Sequence, residues 1–368
     1  MKNRRIVISV IATISLFIST GVFAQNYPDR PRGLRWSGFL LSRDAEWYTS
    51  DEARQIADNV LLYQSEVGAW PKNTNLAAKP ESQEALKKIT EGENGNTIDN
   101  GATTTPMRYL ALVYKATGEV RYKDAFIRGL DYLFEAQYDN GGWPQFYPLR
   151  DHGYYSEITY NDNAMINVMY LLRAISDKDD PYTFIDVNRI EEASIAIEKG
   201  VDCILKTQVK EGGKLTVWCA QYDQNTLEPA WARAYEPPSL SGSESVNIVR
   251  YLMEIDQPSP EIIEAVEGAV AWFEATKITG LKYRRGRAAD GQWDAWVEED
   301  PEAGPIWARF YELETNKPIF LGRDSQVHYT FAEIERERRT GYGYYTNAPA
   351  ELLEKDYPEW KEKIIQDR

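Results

Sequence analysis

The sequence predicts an all-α, mainly helical fold in which repeated helix pairs close into an α/α toroid, with long loops and little strand. Three observations predict it. Apolar residues recur at helical spacing in Arg54–Gln64, Met107–Ala116, Tyr122–Ala136, Ala164–Ile175, Ile190–Leu205, Val246–Ile255 and Ile262–Ala275. Trp70, Trp143 and Trp218 recur at intervals of 73 and 75 residues, each just after a helix ending near a glutamine (Gln64, Gln137, Gln208). The other helix of each unit carries a matching pair, Tyr109-Leu110, Tyr170-Leu171 and Tyr251-Leu252. Such a period exceeds the roughly 20–50 residues of a solenoid repeat and suits a helix pair joined by a long loop.

Taken in chain order, residues 1–24 read as a signal peptide. Lys2, Arg4 and Arg5 form a basic start, a mainly apolar run follows from Ile6 to Ile18, and Val22-Phe23-Ala24 supplies small residues for cleavage. Residues 25–45 read as an N-terminal lead-in and 46–368 as a single domain, with 351–368 as its charged tail. Asn161 or Asp162 suits the cap of the helix through Met165, and Ser241 or Ser243 the cap before Glu244.

The chain has 368 residues, 42 Lys+Arg and 57 Asp+Glu, and a net charge of −15. Its 43% hydrophobic content supports a large core and excludes wholesale disorder. The acidity excludes a basic footprint for nucleic acid or anionic membranes. An acidic ligand therefore needs a local cluster of Arg and Lys, or a bridging cation. No stretch beyond the N-terminus reaches the roughly 18 apolar residues of a membrane span, so the mature protein is expected to be exported, secreted or periplasmic. Cys203 and Cys219 stand across a Gly-Gly turn, and sequence leaves open whether they bridge. His152 and His328 are the only histidines, which disfavours a zinc site or a Ser-His-Asp triad. Nothing predicts an obligate oligomer, and a monomer is expected.

Four loops carry the candidate chemistry. Asn96-Thr97-Ile98-Asp99-Asn100-Gly101-Ala102-Thr103 places a carboxylate beside a carboxamide just before a helix, which suits either a helix cap or an oxygen-rich set for a hard cation such as Ca²⁺. Ile158-Thr159-Tyr160-Asn161-Asp162-Asn163 holds the same place in the next repeat, so the two loops would converge. The third runs from Pro229 to Pro238 and sets Arg233 among Trp231, Tyr235 and prolines; a salt bridge to Glu236 is the plainer reading. The fourth spans Trp307 to Glu312 and continues to Asp324. In it Arg309 and Arg323 suit bidentate carboxylate binding, or pairing with Glu312 or Asp324. Tyr and Trp are dense in these loops, which suits sugar rings with their apolar faces and hydroxyl edges.

Together these motifs resemble polysaccharide lyase family 10, the pectate lyases. The matching stretches are Ala69-Trp70-Pro71-Lys72-Asn73, Thr97–Thr103, Gly141–Pro148, Ile158–Asp162, Pro229–Pro238 and Trp307–Glu312, in order over about residues 45–345. The resemblance implies an incomplete α/α toroid forming the catalytic domain, and Ca²⁺-dependent β-elimination of polygalacturonate to 4,5-unsaturated oligogalacturonides. It implies that Arg233 is the base and that Asp99, Asn100 and Asp162 hold Ca²⁺. It further implies that Arg309 and Arg323 bind uronate carboxylates, with Arg250 and Lys72 adding positive charge. Two other readings stand beside it. One is a glycoside hydrolase using Asp99 and Asp162 as its paired carboxylates; the other is an exported glycan-binding protein without catalysis.

Overall fold

The structure, a computed structural model, describes residues 35–366. The signal-peptide reading and residues 25–34 of the lead-in lie outside the described residues. The end of the lead-in is docked: the Trp36 amide donates to Asn75 Oδ1 at 2.8 Å, and its ring meets Tyr109 edge-on at 5.5 Å.

The helices are α1 (Asp51–Leu62), α2 (Gln83–Thr90), α3 (Thr104–Thr117), α4 (Val120–Glu135), α5 (Ala164–Ser176), α6 (Val187–Thr207), α7 (Glu244–Met253) and α8 (Pro260–Ala275), followed by α9 (Arg336–Gly341), α10 (Ala348–Glu351) and α11 (Tyr357–Gln366). All seven periodic segments are therefore helices. Their ends follow local chemistry. Ser50, Asp186 and Ser259 cap α1, α6 and α8 through side-chain oxygens, and Gly118 closes α3 in the left-handed region. The long helices pack in two rows. One row runs α1, α4, α6, α8, and the other α3, α5, α7.

The tryptophan repeat is a physical device. The indole N–H of Trp70, Trp143 and Trp218 donates to a carbonyl of the preceding helix, on Val60, Leu133 and Ile204 respectively, at 2.7–2.9 Å. Trp307 is a fourth member, donating to Phe273 O at 2.9 Å. The glutamines do the linking. Gln64 Nε2 bonds Gly68 O in its own loop and Ala125 O on the next helix of the row, and Gln137 and Gln208 repeat this with Ala196 O and Ala265 O. Four tryptophans fully removed from water bury roughly 150–250 Å² each, several kcal/mol of gross hydrophobic stabilisation apiece.

The all-α toroid expectation is corrected here. The architecture is mixed, 47% helix and 13% strand, with small sheets. The strands are β1 (Ile158–Thr159), β2 (Lys210–Glu211), β3 (Lys214–Leu215), β4 (Gln221–Tyr222), β5 (Leu240–Ser241), β6 (Leu281–Arg287), β7 (Trp293–Glu299), β8 (Trp307–Ala308), β9 (Phe310–Tyr311), β10 (Pro318–Leu321), β11 (Val327–His328) and β12 (Tyr345–Thr346). All pairings are antiparallel: β1 with β4, β2 with β3, β6 with β7, β8 with β12, and a four-stranded sheet ordered β11-β10-β9-β5. Most are two residues long, too short to show the alternation that identifies strands in a sequence. The expected charged tail is also partly helical, as α11, with Trp360 buried.

Cys203 and Cys219 are both free and buried, and burial pushes their thiols up to about 11 and about 12. No helix among the described residues is long and apolar enough to cross a membrane.

Candidate active site

The site lies where the long loops meet the N-terminal ends of α3, α5 and α7. The 99–101 and 161–163 turns touch each other there, as equivalent loops of successive repeats. Both share one backbone device: Asn100 (φ 53°) and Asp162 (φ 51°) are left-handed, a region Asn and Asp tolerate better than other side chains. Neither loop uses its acid as a helix cap. The residues at the cap positions of α3 and α5, Thr103 and Asn163, accept no capping hydrogen bond, so neither carboxylate is engaged in capping. At α7 the capping expectation holds, because Ser241 Oγ accepts from the Ser243 and Glu244 amides at 3.2 and 3.0 Å.

Asp99 is only 3% exposed. Lys72 Nζ donates to its Oδ2 at 2.6 Å, and Gln145 Nε2 donates to the same oxygen at 2.9 Å. Asp99 Oδ1 and Gln145 Oε1 are buried without a hydrogen-bond partner. One orphaned carboxylate oxygen and the orphaned carboxamide oxygen of its partner are costly unless a cation or donor reaches them.

Arg309 is drawn into the second turn. Its Nη2 donates to Asn161 Oδ1 at 2.9 Å, to Asp162 Oδ1 at 3.3 Å, and to Glu244 Oε1. Its guanidinium lies 4.7 Å from the ring centre of Tyr342. Burial pushes the guanidinium pKa down, but the charges of Glu244, Tyr342 and Asp162 outweigh this and raise it. Arg309 Nε is buried without a partner.

Arg233 forms the salt bridge its sequence allowed. Nε donates to Glu236 Oε2 at 2.7 Å, Nη2 donates to Oε1, and the Arg233 amide donates to Oε2 at 3.1 Å. Glu236 is 2% exposed and also accepts from Tyr342 OH at 2.7 Å. Burial opposes the charge on both partners, but their pairing prevails. Glu236 is held below the usual carboxylate range, and Arg233 above its ordinary value. Burial raises the pKa of the Tyr154 phenol, and the nearby charges of Arg233 and Glu236 act on it in opposite directions. Trp231, beside Arg233, is 48% exposed.

Most predicted residues thus converge. Lys72, Asp99, Asn100 and Asp162 sit on the two touching turns and their partners, and Arg233 and Arg309 are joined through Tyr342. Arg309 pairs with Glu244 and Asp162 rather than with Glu312 or Asp324. Arg323 is at the rim, bonded to Glu337 at 3.2 Å and 6.0 Å from the ring centre of Tyr235. Arg250 is not brought to the site. It lies six residues beyond Glu244, about 9 Å along the helix, with Nε on Asp356 at 2.7 Å and Nη2 on Glu351 at 3.2 Å. Sequence reasoning missed Tyr342, Glu244 and Gln145. The tyrosine-rich Gly341-Tyr342-Gly343-Tyr344-Tyr345 tract was the available signal for Tyr342. Glu244 read only as the residue after two capping serines.

The pectic acid lyase family profile matches residues 64–353. The chain belongs to the pectic acid lyase family. It is a polysaccharide lyase, which sets aside the hydrolase and binding-protein readings. Among solved structures, the lyase is similar to the family 10 polysaccharide lyase from Cellvibrio cellulosa, at 36% identity and a TM-score of 0.71, over 86% of this chain and 97% of that one. It is likewise similar to an aspartate-to-alanine mutant of that enzyme in complex with trigalacturonic acid, at 35% identity and a TM-score of 0.71, over 87% of this chain and 98% of the other. No curated protein matches the chain.

Proposed function

We propose that this lyase cleaves polygalacturonate by calcium-dependent β-elimination, leaving a 4,5 double bond on the new non-reducing end. The observation that carries the reading is the meeting of Arg233 and Arg309, two cationic groups in an acidic protein, with the half-unsatisfied Asp99 carboxylate at one loop cluster. Trigalacturonic acid in the similar Cellvibrio enzyme supports a uronate as ligand.

The chemical problem is the C5 proton of the sugar, which lies α to a carboxylate whose negative charge resists a second one. Cations on that carboxylate make the elimination accessible. Arg309 and the rim Arg323 bind uronate carboxylates, and the exposed ring of Trp231 offers a face to a sugar. Arg233 is the assigned base. It takes the C5 proton, the C5–H electron pair becomes the C4=C5 bond, and the glycosidic oxygen leaves with the C4–O pair and takes a proton from solvent water. Arg233 must first part from Glu236 and lose its own proton, so an alkaline optimum is expected.

The donor chemistry fits a hard cation. Asp99, Asn100 and Asp162 offer only oxygen and amide groups, and Asp99 Oδ1 and Gln145 Oε1 are buried acceptors without donors. Among the described residues, no three His, Cys, Asp or Glu side chains stand close enough to hold a metal alone, so substrate or water oxygens would have to complete its shell. When bound, Ca²⁺ would neutralise uronate charge and help stabilise the enolate-like transition state. Export through residues 1–24 belongs to the same proposal and is checked by the N-terminal sequence of the mature protein.

A continuous ultraviolet assay on de-esterified polygalacturonate at alkaline pH tests the reading. Absorbance that rises with Ca²⁺ and stops with chelator is expected. New reducing ends without absorbance refute elimination. Absorbance indifferent to chelator refutes the calcium assignment.

A further inference from the structure

The β6–β7 hairpin is out of character with the rest of the chain. β6 reads Leu-Lys-Tyr-Arg-Arg-Gly-Arg, four cations and no acid in seven residues, in a protein of net charge −15. Its register sorts these cations onto two faces, because alternate residues of a strand share a side. On one face Lys282 and Arg284 stand opposite Glu298 and Trp296 and are neutralised at the hairpin itself, Arg284 on Glu298 at 2.7 Å and Lys282 on Asp300 at 3.4 Å.

The other face is different. Arg285 stands opposite Ala295 and Arg287 opposite Trp293. Both arginines are exposed, and Trp293 is 57% exposed. Among the described residues neither arginine has a carboxylate partner. Arg285 donates to Thr340 O and Arg287 to Gly291 O at 2.8 Å, so most of their ten N–H groups are free. An unpaired guanidinium next to an exposed indole offers an anion contact and a flat apolar face together.

This face connects to the active site. α9 packs against β7, and Arg285 bonds Thr340 near the C-terminal end of α9. Tyr342, the first residue beyond α9, donates to Glu236. Thr340 and Tyr342 are two Cα steps apart, at most about 7 Å. Arg287 lies another two strand residues along, about 7 Å further. Within α9, Arg338, buried and paired with Glu337, lies 4.6 Å from the ring centre of Tyr235 in the Arg233 loop, so the same helix touches both the site loop and the hairpin.

We propose that the Arg285–Arg287–Trp293 face is a distal subsite for acidic polysaccharide, which holds uronate residues of a long chain extending beyond the catalytic loops. The proposal rests on the lyase reading above and adds to it a preference for long chains. Charge complementarity names the occupant, since two arginines without carboxylate partners in a chain of net charge −15 suit a polyanion.

The test compares the wild-type protein with the double variant Arg287→Ala/Trp293→Ala on trigalacturonate and on long polygalacturonate, with affinity electrophoresis in gels containing the polymer. The ratio of kcat/KM for polymer to that for trimer is expected to fall roughly five- to tenfold. The fall comes through KM, gel retardation weakens, and Arg287→Lys/Trp293→Phe restores much of both. An unchanged ratio overturns the proposal. So does an equal fall on both substrates, which would mean that the hairpin shapes the site rather than holding the chain. If the wild type neither turns over nor binds either substrate, the lyase reading fails and takes the subsite with it.

Discussion

Replacing Glu236 by Gln tests how Arg233 is controlled. The carboxylate is 2% exposed and receives Arg233 Nε at 2.7 Å and Tyr342 OH at 2.7 Å, so it is the main group holding the guanidinium protonated. Two unit charges about 4 Å apart attract by about 4 kcal/mol at an effective dielectric of 20. The Arg233 side chain is 39% exposed; halving the attraction for solvent leaves about 2 kcal/mol. At 1.36 kcal/mol per pH unit, the Gln variant lowers the Arg233 pKa by about 1.5 units. The sign follows directly: with the carboxylate gone, more of the neutral base is present at a given pH. The acid limb of the kcat profile therefore moves about 1.5 units toward lower pH. The maximal rate falls at the same time, because the guanidinium loses its anchor. The assay is elimination rate against pH at saturating polygalacturonate and Ca²⁺. An acid limb that stays in place while the maximum falls would refute Arg233 as the titrating base and leave Glu236 as a fold element only.

Three further outcomes are expected. Arg309→Met leaves Glu244, whose side chain is 3% exposed, buried without its counter-charge; a loss of about 3–5 kcal/mol should appear as a lower urea midpoint, together with loss of elimination. Glu157 titrates at about 7, raised by burial and by the charge of Asp223, so its folded-state pKa lies above its unfolded one. It imposes no penalty below about pH 4 and destabilises increasingly as pH rises toward 7. Glu157→Gln should accordingly raise Tm at pH 8, by roughly 1 kcal/mol of stability after allowing for solvent, and leave it unchanged at pH 4. Gly200→Ala sets a Cβ 2.3 Å from Met169 Sδ, in a contact also lined by Trp143. Overpacking of about 1–3 kcal/mol exceeds the helix-propensity gain of about 1, so thermal unfolding should show a net loss.

The sequence by itself determined the helices and the repeat. Apolar spacing near 3.6 residues survives any packing arrangement, and so the seven periodic segments are helices within a few residues at each end. The Trp and Gln recurrence marked equivalent units because one local device is used in each, an indole bonded to the preceding helix and a carboxamide bonded to the next. The motif loops were legible as well, and the family match bears out their resemblance. The strands were not legible, since two residues carry no period. Their partners, such as β5 for β9, come from loops about 70 residues apart.

Only the tertiary structure decided which charges meet. Arg233, Arg309 and Arg323 read alike in sequence, each an arginine with an acid within reach, and Arg250 read only as a further positive charge. Folding sent Arg250 away from the N-terminal end of α7 to Glu351 and Asp356, and put Arg309 on Glu244, 65 residues away. It put Tyr342 on Glu236, 106 residues away, and left Arg285 and Arg287 without acids among the described residues. The physical reason is range. Helix periodicity and capping are settled within a few residues along the chain. Ion pairing depends on which loops the two helix rows bring within about 4 Å, and on how much water packing leaves between them.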